Sequence, residues 1–132
     1  MPFLNSVVQW LNFKRIYQIQ LYREHPIEIQ NEALFSLINN AKETEWGMAH
    51  GYENISTLED FQKAVPLQSY NDIKHFVERL REGEKNLLWP GEVRWFAKSS
   101  GTTSDKSKFI PVTKESLEDC HMRGPKDVLH NS

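Results

Sequence analysis

The sequence predicts an α-rich α/β fold in which helices come first and a strand–loop–strand–helix unit follows. Apolar residues recur at helical spacing through most of residues 1–88. Residues with high β-propensity then concentrate in two short runs, and a hydroxyl-rich loop joins those runs. We therefore divide the chain into a helical N-terminal segment, residues 1–88, and the start of a second unit, residues 89–132.

Two long helices are predicted at the beginning of the chain. Apolar side chains fall at helical spacing over residues 3–24. Pro26 ends this helix, because proline has no N–H to donate, and it fits the first turn of a second helix over residues 27–43. Trp46 then opens a loop that is expected to reach about Ile55.

Two shorter helices with recognisable caps are predicted next. Ser56 and Glu59 have the spacing of a capping box, and the helix that they begin should end before Pro66. Ser69 can cap a further helix, which Gly83 ends. The charged residues of that helix are expected to form a solvated face rather than a binding site: Asp72, Lys74, Glu78, Arg79 and Arg81.

The second unit is predicted from a change in composition. Residues 93–97 read as a strand, and residues 109–112 read as a second strand. Pro111 places that second strand at a sheet edge, since proline cannot complete a central ladder. Thr113 can cap a final helix that reaches about Arg123.

The overall charge and the cysteine content exclude several classes of protein. The chain has 16 Lys and Arg against 18 Asp and Glu, a net charge of −2, so it carries no electrostatic footprint for nucleic acid or an anionic membrane. Polar residues interrupt every apolar run well before the roughly 18 residues that a membrane span needs. The single cysteine, Cys120, excludes an intrachain disulfide framework and fits a cytoplasmic location.

The sequence offers weak candidates for metal binding and for acid–base or nucleophilic catalysis. The five histidines show no paired ligand spacing, and Cys120 has no identifiable activating partner, so no metal ligand or catalytic residue is predicted. Three glutamates in a polar connection are expected to face solvent: Glu43, Glu45 and Glu53. Three aromatic residues near the first strand are expected in the core rather than stacked on a base: Trp89, Trp95 and Phe96.

The loop at residues 99–108 is the segment that suggests a ligand. Its first six residues contain five Ser and Thr hydroxyls and one glycine. Hydroxyls and backbone N–H groups of such a loop can converge on a polyphosphate, and Lys106 and Lys108 add positive charge. The spacing is not that of a Walker A loop. From composition alone, a solvated Ser/Thr linker is the equal alternative.

The Ser-Ser-Gly-Thr-Thr stretch and the basic segment after it resemble the phosphate-binding motif of adenylate-forming enzymes, which include acyl-CoA synthetases, peptide-synthetase adenylation domains and luciferases. The flanking residues resemble one branch, the Gretchen Hagen or auxin-responsive-promoter family of acyl acid–amido synthetases, and this resemblance covers nearly the whole chain. The residues that carry it are Glu45-Trp46-Gly47, Phe61 to Pro66, Tyr70, Gly83, Pro90-Gly91 and Lys108 to Thr113.

The resemblance implies a ligase that activates a small carboxylic acid with ATP and Mg²⁺ and passes the acyl group to an amino acid. From the balanced charge and the interrupted apolar runs we expect no nucleic-acid or membrane partner. Asp105 stands where the family commonly has glycine, and an acidic side chain there would repel phosphate unless it points away. The residues implied to bind the ATP phosphates are Ser99, Ser100, Gly101, Thr102, Thr103 and, for the pyrophosphate charge, Lys108.

The resemblance also implies that the chain is an N-terminal fragment. The family's nucleoside contacts, Mg²⁺-binding acid and acyl pocket lie beyond the motif, so we expect an incomplete part of the adenylate-forming domain with little activity of its own. Two alternatives stay open. One is a non-catalytic helical interaction module with a structural Ser/Thr loop, and the other is a peripheral membrane module that inserts a helix over residues 3–22.

Overall fold

The computed structural model describes residues 2–100 and 107–121. Within those ranges the chain is rich in helix and contains one two-stranded antiparallel sheet, which agrees with the predicted α-rich α/β class. The helices are α1 (Pro2–Glu24), α2 (Pro26–Ala41), α3 (Glu45–Ala49), α4 (Leu58–Ala64), α5 (Tyr70–Arg81) and α6 (Lys114–Ser116). The strands are β1 (Trp95–Lys98) and β2 (Phe109–Val112).

The break between α1 and α2 lies where the sequence predicts it. Pro26 occupies the first turn of α2, and the chain continues almost without interruption because the His25 N–H donates to the Leu21 carbonyl at 2.8 Å. In α2, Ile38 and Ala41 are buried. The helix ends at Ala41, two residues before the predicted end at residue 43.

The loop predicted from Trp46 to Ile55 is wrong, because that stretch contains α3 and a 3₁₀ turn at Tyr52–Asn54. Thr44, which is 1% exposed, caps α3: its hydroxyl accepts from the Gly47 N–H at 3.0 Å and donates to the Ala41 carbonyl at 2.6 Å. The Glu45 and Trp46 N–H groups donate to the carbonyls of residues 86 and 87, both at 2.9 Å. Every N–H of the first turn therefore has an acceptor, half of them supplied by a distant segment.

The capping box of α4 is shifted by one residue from the predicted pair. Thr57 is the N-cap and Asp60 is its partner, since the Thr57 hydroxyl accepts from the Asp60 N–H at 3.1 Å and the carboxylate accepts from the Thr57 N–H at 3.0 Å. Ser56 contributes two further donors to the same carboxylate. The helix ends at Ala64, before Pro66, as predicted.

Helix α5 has the predicted beginning and the predicted end. The Ser69 N–H and hydroxyl donate to the Asp72 carboxylate at 2.7 and 2.6 Å. At the other end Gly83 has φ +94°, and the N–H groups of Gly83 and Glu84 return to the carbonyls of residues 80 and 79, both at 3.1 Å. This is a Schellman motif, in which glycine takes the left-handed position after the helix.

The core of the described part is centred on α5. Its buried members are Phe76, Leu80, Leu87 and Val93. Phe96 packs against this cluster, as predicted, together with Trp46 and Leu88. Trp95 is 49% exposed, so its predicted place in the core is wrong. Successive side chains of a strand point to opposite faces, which is why Trp95 and Phe96 cannot both face the core.

The two strands form a hairpin in which Trp95 pairs with Val112 and Lys98 pairs with Phe109. Strand β2 has the predicted bounds, whereas β1 begins at Trp95 instead of Val93, which is buried outside the sheet. Thr113 caps α6, its hydroxyl accepting from the Ser116 N–H at 3.0 Å. A π-helical turn, Leu117–His121, follows α6, and the predicted helix end near residue 123 lies outside the described residues.

Helix α1 presents large apolar side chains to solvent. Phe13 is 73% exposed, and Trp10, Ile16 and Tyr17 are each more than half exposed. These four side chains remain exposed although α1 contacts α2. Among the residues that the structure describes, no helix is both long enough and apolar enough to cross a membrane.

Candidate functional site at the base of the hairpin

The two ends of the predicted phosphate-binding loop lie next to each other. The Ser99 N–H donates to the Lys108 carbonyl at 2.9 Å, and the Lys108 N–H donates to the Ser99 hydroxyl at 3.0 Å. Ser100 follows, with an exposed side chain. Three predicted phosphate-binding residues lie outside the described residues, as do Asp105 and Lys106: Gly101, Thr102 and Thr103.

A tyrosine from α5 binds the backbone of β2 next to this pair. The Tyr70 hydroxyl accepts from the Phe109 N–H at 3.1 Å and donates to the Phe109 carbonyl at 3.2 Å. The Lys108 ammonium lies 5.7 Å from the centre of the Tyr70 ring, within the range of a cation–π contact. The first residue of α5 therefore contacts Phe109, the first residue of β2, and Lys108, the residue before it.

Arg81 adds a second contact between α5 and β2, although the residue is exposed, as predicted. Its guanidinium carbon lies 3.9 Å from the centre of the Phe109 ring, which is stacking distance. Arginine is suited to this contact because its planar, weakly hydrated head group can lie against an aromatic face. Tyr70 and Arg81 both contact Phe109, and through it they hold the hairpin against the helix.

Arg79 lies on the predicted solvated face, is partly exposed, and links α5 to α3 through ion pairs at the surface. Its guanidinium donates two hydrogen bonds to Glu45, at 2.8 and 2.7 Å, and three to Glu84, at 2.7 to 3.0 Å. Glu45 is exposed, as predicted, and it forms this ion pair at the protein surface. Hydrogen bonds from Arg79 lower the pKa of both carboxyls, and the same bonds raise the pKa of Arg79 itself.

This carboxylate pair predicts an acid-sensitive fold. Because the folded-state pKa of Glu45 and Glu84 is depressed, their contribution to stability is present above the unfolded value of about 4.3 and is lost as the pH falls below it. Arg79→Gln should therefore lower the denaturation midpoint at neutral pH and flatten its decline on acidification. Urea denaturation between about pH 7 and pH 3 measures both effects.

The matched control for that experiment is Arg94→Gln. Arg94 pairs with a near neighbour in sequence, Glu92, at 3.3 Å. Because the arginine side chain is 69% exposed, its removal should leave the acid slope unchanged. Equal acid slopes for Arg79→Gln and the unchanged protein would contradict the assignment.

Trp89 links the turn before β1 to the helix after β2. It is half-buried, and its Nε1 donates to the Glu115 carboxylate at 3.3 Å. The indole is thus a polar link between the two flanks of the hairpin, and Trp89 is not among the side chains packed against the core cluster of the described residues. The hairpin is thereby held by α5 on one side and by residues 89 and 115 at its open end.

The described residues offer no evident metal centre of their own. Among residues 2–100 and 107–121, no group of three or more His, Cys, Asp or Glu side chains is arranged to hold an ion. What the hairpin base does contain is a set of side-chain donors: two serine hydroxyls and the Lys108 ammonium. Such donors suit an oxyanion such as phosphate.

The chain belongs to the GH3 family. The family model described as the GH3 family N-terminal domain matches residues 15–129, which confirms the resemblance identified from the sequence. That match includes the hairpin, α5 and the loop between the strands.

The individual relatives are plant amido synthetases. Jasmonoyl–L-amino acid synthetase JAR6 from Nicotiana attenuata is 28% identical over 92 residues, 69% of this chain and 16% of the relative. Indole-3-acetic acid-amido synthetase GH3.15 from Arabidopsis thaliana is 31% identical over 94 residues, 69% of this chain and 15% of the relative. Jasmonoyl–L-amino acid synthetase GH3.5 from Oryza sativa subsp. japonica is 27% identical over 104 residues, 78% of this chain and 18% of the relative. The chain spans about a sixth of the length of these curated relatives.

Proposed function

We propose that the protein is an ATP-dependent ligase that adenylates a carboxylic acid and conjugates it to an amino acid. The observation that carries this proposal is the family match over residues 15–129, together with relatives named for joining jasmonic or indole-3-acetic acid to amino acids. In this proposal the described helices and hairpin form the start of an adenylate-forming domain, and residues 99–108 bind the ATP phosphates.

The proposed reaction has two steps with balanced bonds. A carboxylate oxygen of the acid attacks the α-phosphorus of ATP, and the bond to the bridging oxygen breaks, so that pyrophosphate leaves with the electron pair. The amino acid nitrogen then attacks the acyl carbon, AMP leaves and the amine loses a proton. Both steps depend on positioning and on neutralising phosphate charge more than on proton transfer by the protein.

The residues at the base of the hairpin fit the first of these tasks. The Ser99 oxygen accepts from the Lys108 N–H, which leaves the hydroxyl proton to donate to a phosphate oxygen. Ser100 is exposed beside it, and the Lys108 ammonium supplies charge for the leaving pyrophosphate. Mg²⁺ would reach the site on the ATP phosphates, and no residue of the described part is assigned as its ligand.

A pyrophosphate exchange assay tests the proposal. The complete gene product should exchange labelled pyrophosphate into ATP only when a suitable carboxylic acid is present, since the first step is reversible and needs the acid. The panel should include jasmonic acid, indole-3-acetic acid and aromatic and aliphatic acids of similar size. Exchange that is absent with every acid, or that does not depend on the acid, would contradict the proposal.

A helical interaction module is the second candidate function. The apolar side chains that α1 exposes favour it, because contiguous exposed apolar surface commonly marks a contact with another protein. The two candidates differ in their response to nucleotide. A ligase should show a higher melting temperature with ATP and Mg²⁺, whereas an interaction module should show no change with ATP.

We also propose a cytoplasmic location for the protein. The basis is the single cysteine, Cys120, which is exposed and has no partner for an intrachain disulfide. An exposed free thiol persists in a reducing compartment. Cell fractionation that recovers the complete gene product with secreted or organelle-lumen proteins would contradict this location.

A further inference from the structure

We propose that Tyr70 is a positioning residue that sets the place of Lys108 for phosphate binding. This inference rests on the proposed ligase function and adds to it a residue outside the hydroxyl-rich loop. Tyr70 is 39 residues away from Phe109 in sequence, yet its hydroxyl both accepts from the Phe109 N–H and donates to the Phe109 carbonyl, at 3.1 and 3.2 Å.

The direction of the backbone groups in β2 explains why one hydroxyl is enough. The N–H and carbonyl of Lys108 point to Ser99 across the hairpin. Those of Phe109 therefore point away from β1, to the outer edge of a two-stranded sheet, where a strand would ordinarily present unpaired groups. The Tyr70 hydroxyl takes the place of a third strand at that edge, because it serves as donor and acceptor together.

The same tyrosine also contacts the Lys108 side chain. Its ring lies 5.7 Å from the ammonium, so backbone and head group of adjacent residues are held by one aromatic side chain. A shift of β2 along or away from α5 would therefore move the ammonium relative to Ser99.

The position of Tyr70 is fixed by the capped N-terminus of α5. It is the first residue of α5, and the residue before it, Ser69, is tied to Asp72 by hydrogen bonds of 2.6 and 2.7 Å. The hydroxyl of Tyr70 is thus placed by a capped helix, and a group placed by a helix is held more narrowly than one placed by a loop. Arg81, the last residue of α5, stacks on the Phe109 ring and is a second contact between the helix and β2.

Tyr70→Phe is the variant that isolates the hydroxyl, because the ring and its contact with the ammonium are kept. In the complete gene product we expect this change to lower kcat/KM for ATP in pyrophosphate exchange about tenfold, the consequence of one or two lost hydrogen bonds at a site that must be held to within a fraction of an ångström. The KM for the carboxylic acid should change by less than about twofold, since the hydroxyl that is removed bonds to the backbone of the proposed phosphate-binding hairpin.

Tyr52→Phe is the matched control. Tyr52 is also half-buried, and its hydroxyl accepts from the Trp46 indole N–H at 3.0 Å on a different part of the fold. Both variants should lower the melting temperature by similar small amounts, because each loses buried hydrogen bonding. Only Tyr70→Phe should lower kcat/KM for ATP. Indistinguishable kinetics for the two variants would overturn the proposal.

A double-mutant cycle tests whether the effect of Tyr70 passes through Lys108. In a Lys108→Ala background, Tyr70→Phe should change kcat/KM for ATP by less than about twofold, because the group that it positions is absent. An equal loss in both backgrounds would show that the hydroxyl acts independently of Lys108 and would overturn the inference.

Amide hydrogen exchange separates failure of this inference from failure of the proposed function. Tyr70→Phe should speed exchange of the Phe109 amide, whose acceptor is removed, and Tyr52→Phe should not. If the protein is inactive with every acid but shows this selective exchange, the proposed ligase function is contradicted and the contact of Tyr70 with Phe109 is supported. If the protein is active and Tyr70→Phe changes neither the amide exchange nor kcat/KM for ATP, only the positioning role of Tyr70 is overturned.

Discussion

Gly47→Ala is expected to destabilise the protein by about 1–3 kcal/mol, the usual range for forcing a methyl group into a packed site. A Cβ on residue 47 would overlap the carbonyl oxygen of Ala41 and lie 2.9 Å from the Lys42 Cα, both backbone atoms. Relief would require α3 to move away from the end of α2. Thr44 resists that movement, because it is buried and hydrogen-bonded to both helices.

Chemical denaturation of Gly47→Ala and Gly83→Ala compares the cost of steric overlap, at Gly47, with the cost of backbone strain, at Gly83. A Cβ at Gly83 meets nothing within 4 Å, but its φ of +94° is unfavourable for alanine, so that change should cost about 1 kcal/mol through conformation alone. The Gly47 variant should be the less stable of the two. Equal stability of Gly47→Ala and the unchanged protein would refute the close contact between α2 and α3.

Lys108→Ala is expected to lower pyrophosphate exchange by the complete gene product about a hundredfold, the usual loss on removing one group that stabilises developing charge in a transition state. Lys108 lies where the two ends of the loop meet, with its backbone paired to Ser99. The loss should be larger in kcat/KM for ATP than in the KM for the acid, because the lysine is proposed to interact with pyrophosphate oxygens.

Two further lysine variants determine what is lost. Lys108→Arg keeps the charge but replaces a compact ammonium with a broad planar group, so we expect an intermediate loss. Lys114→Ala removes an exposed lysine whose partner is Glu118 at 3.8 Å, and it should leave exchange within about twofold of the unchanged protein. Full exchange activity in Lys108→Ala would remove this lysine from the proposed phosphate site.

Helix ends were the best predicted part of the fold, since their signals lie within a few residues. The break at Pro26, the cap at Ser69 and the stop at Gly83 each depend on a local backbone requirement that one residue type meets. The shift of one residue in the cap of α4 has the same origin. Two overlapping pairs of capping residues compete there, and Asp60 accepts hydrogen bonds from both Ser56 and Thr57.

Helix α3 could not be predicted from its own residues. It is five residues long, and two of its first N–H groups are satisfied by carbonyls of Asn86 and Leu87, some forty residues later. Asn86 has a left-handed backbone conformation with φ 57°, and its side-chain oxygen accepts from the Gly91 N–H at 2.7 Å. No periodicity near residue 45 contains this information.

The candidate site divides in the same way. The hydroxyl-rich loop and Lys108 stand out in the sequence, because residue type alone indicates phosphate chemistry. Tyr70 is noted in the sequence only for the family resemblance, and Arg81 only as a charged helix residue. Their contacts with Phe109 have no local sequence signal, because they form only when the strand packs against the helix.

The sequence by itself determined the family, the α-rich class, the bounds of α5 and β2 and the position of the loop between the strands. Those features follow from residue type and short-range spacing, because the interactions that favour them lie within a few residues of each other along the chain. Tertiary structure alone decided that Arg79 joins Glu45 and that Tyr70 binds Phe109. Each pair is separated by more than thirty residues, so its contact exists only after the chain has folded back on itself and brought two otherwise unremarkable side chains within hydrogen-bonding distance.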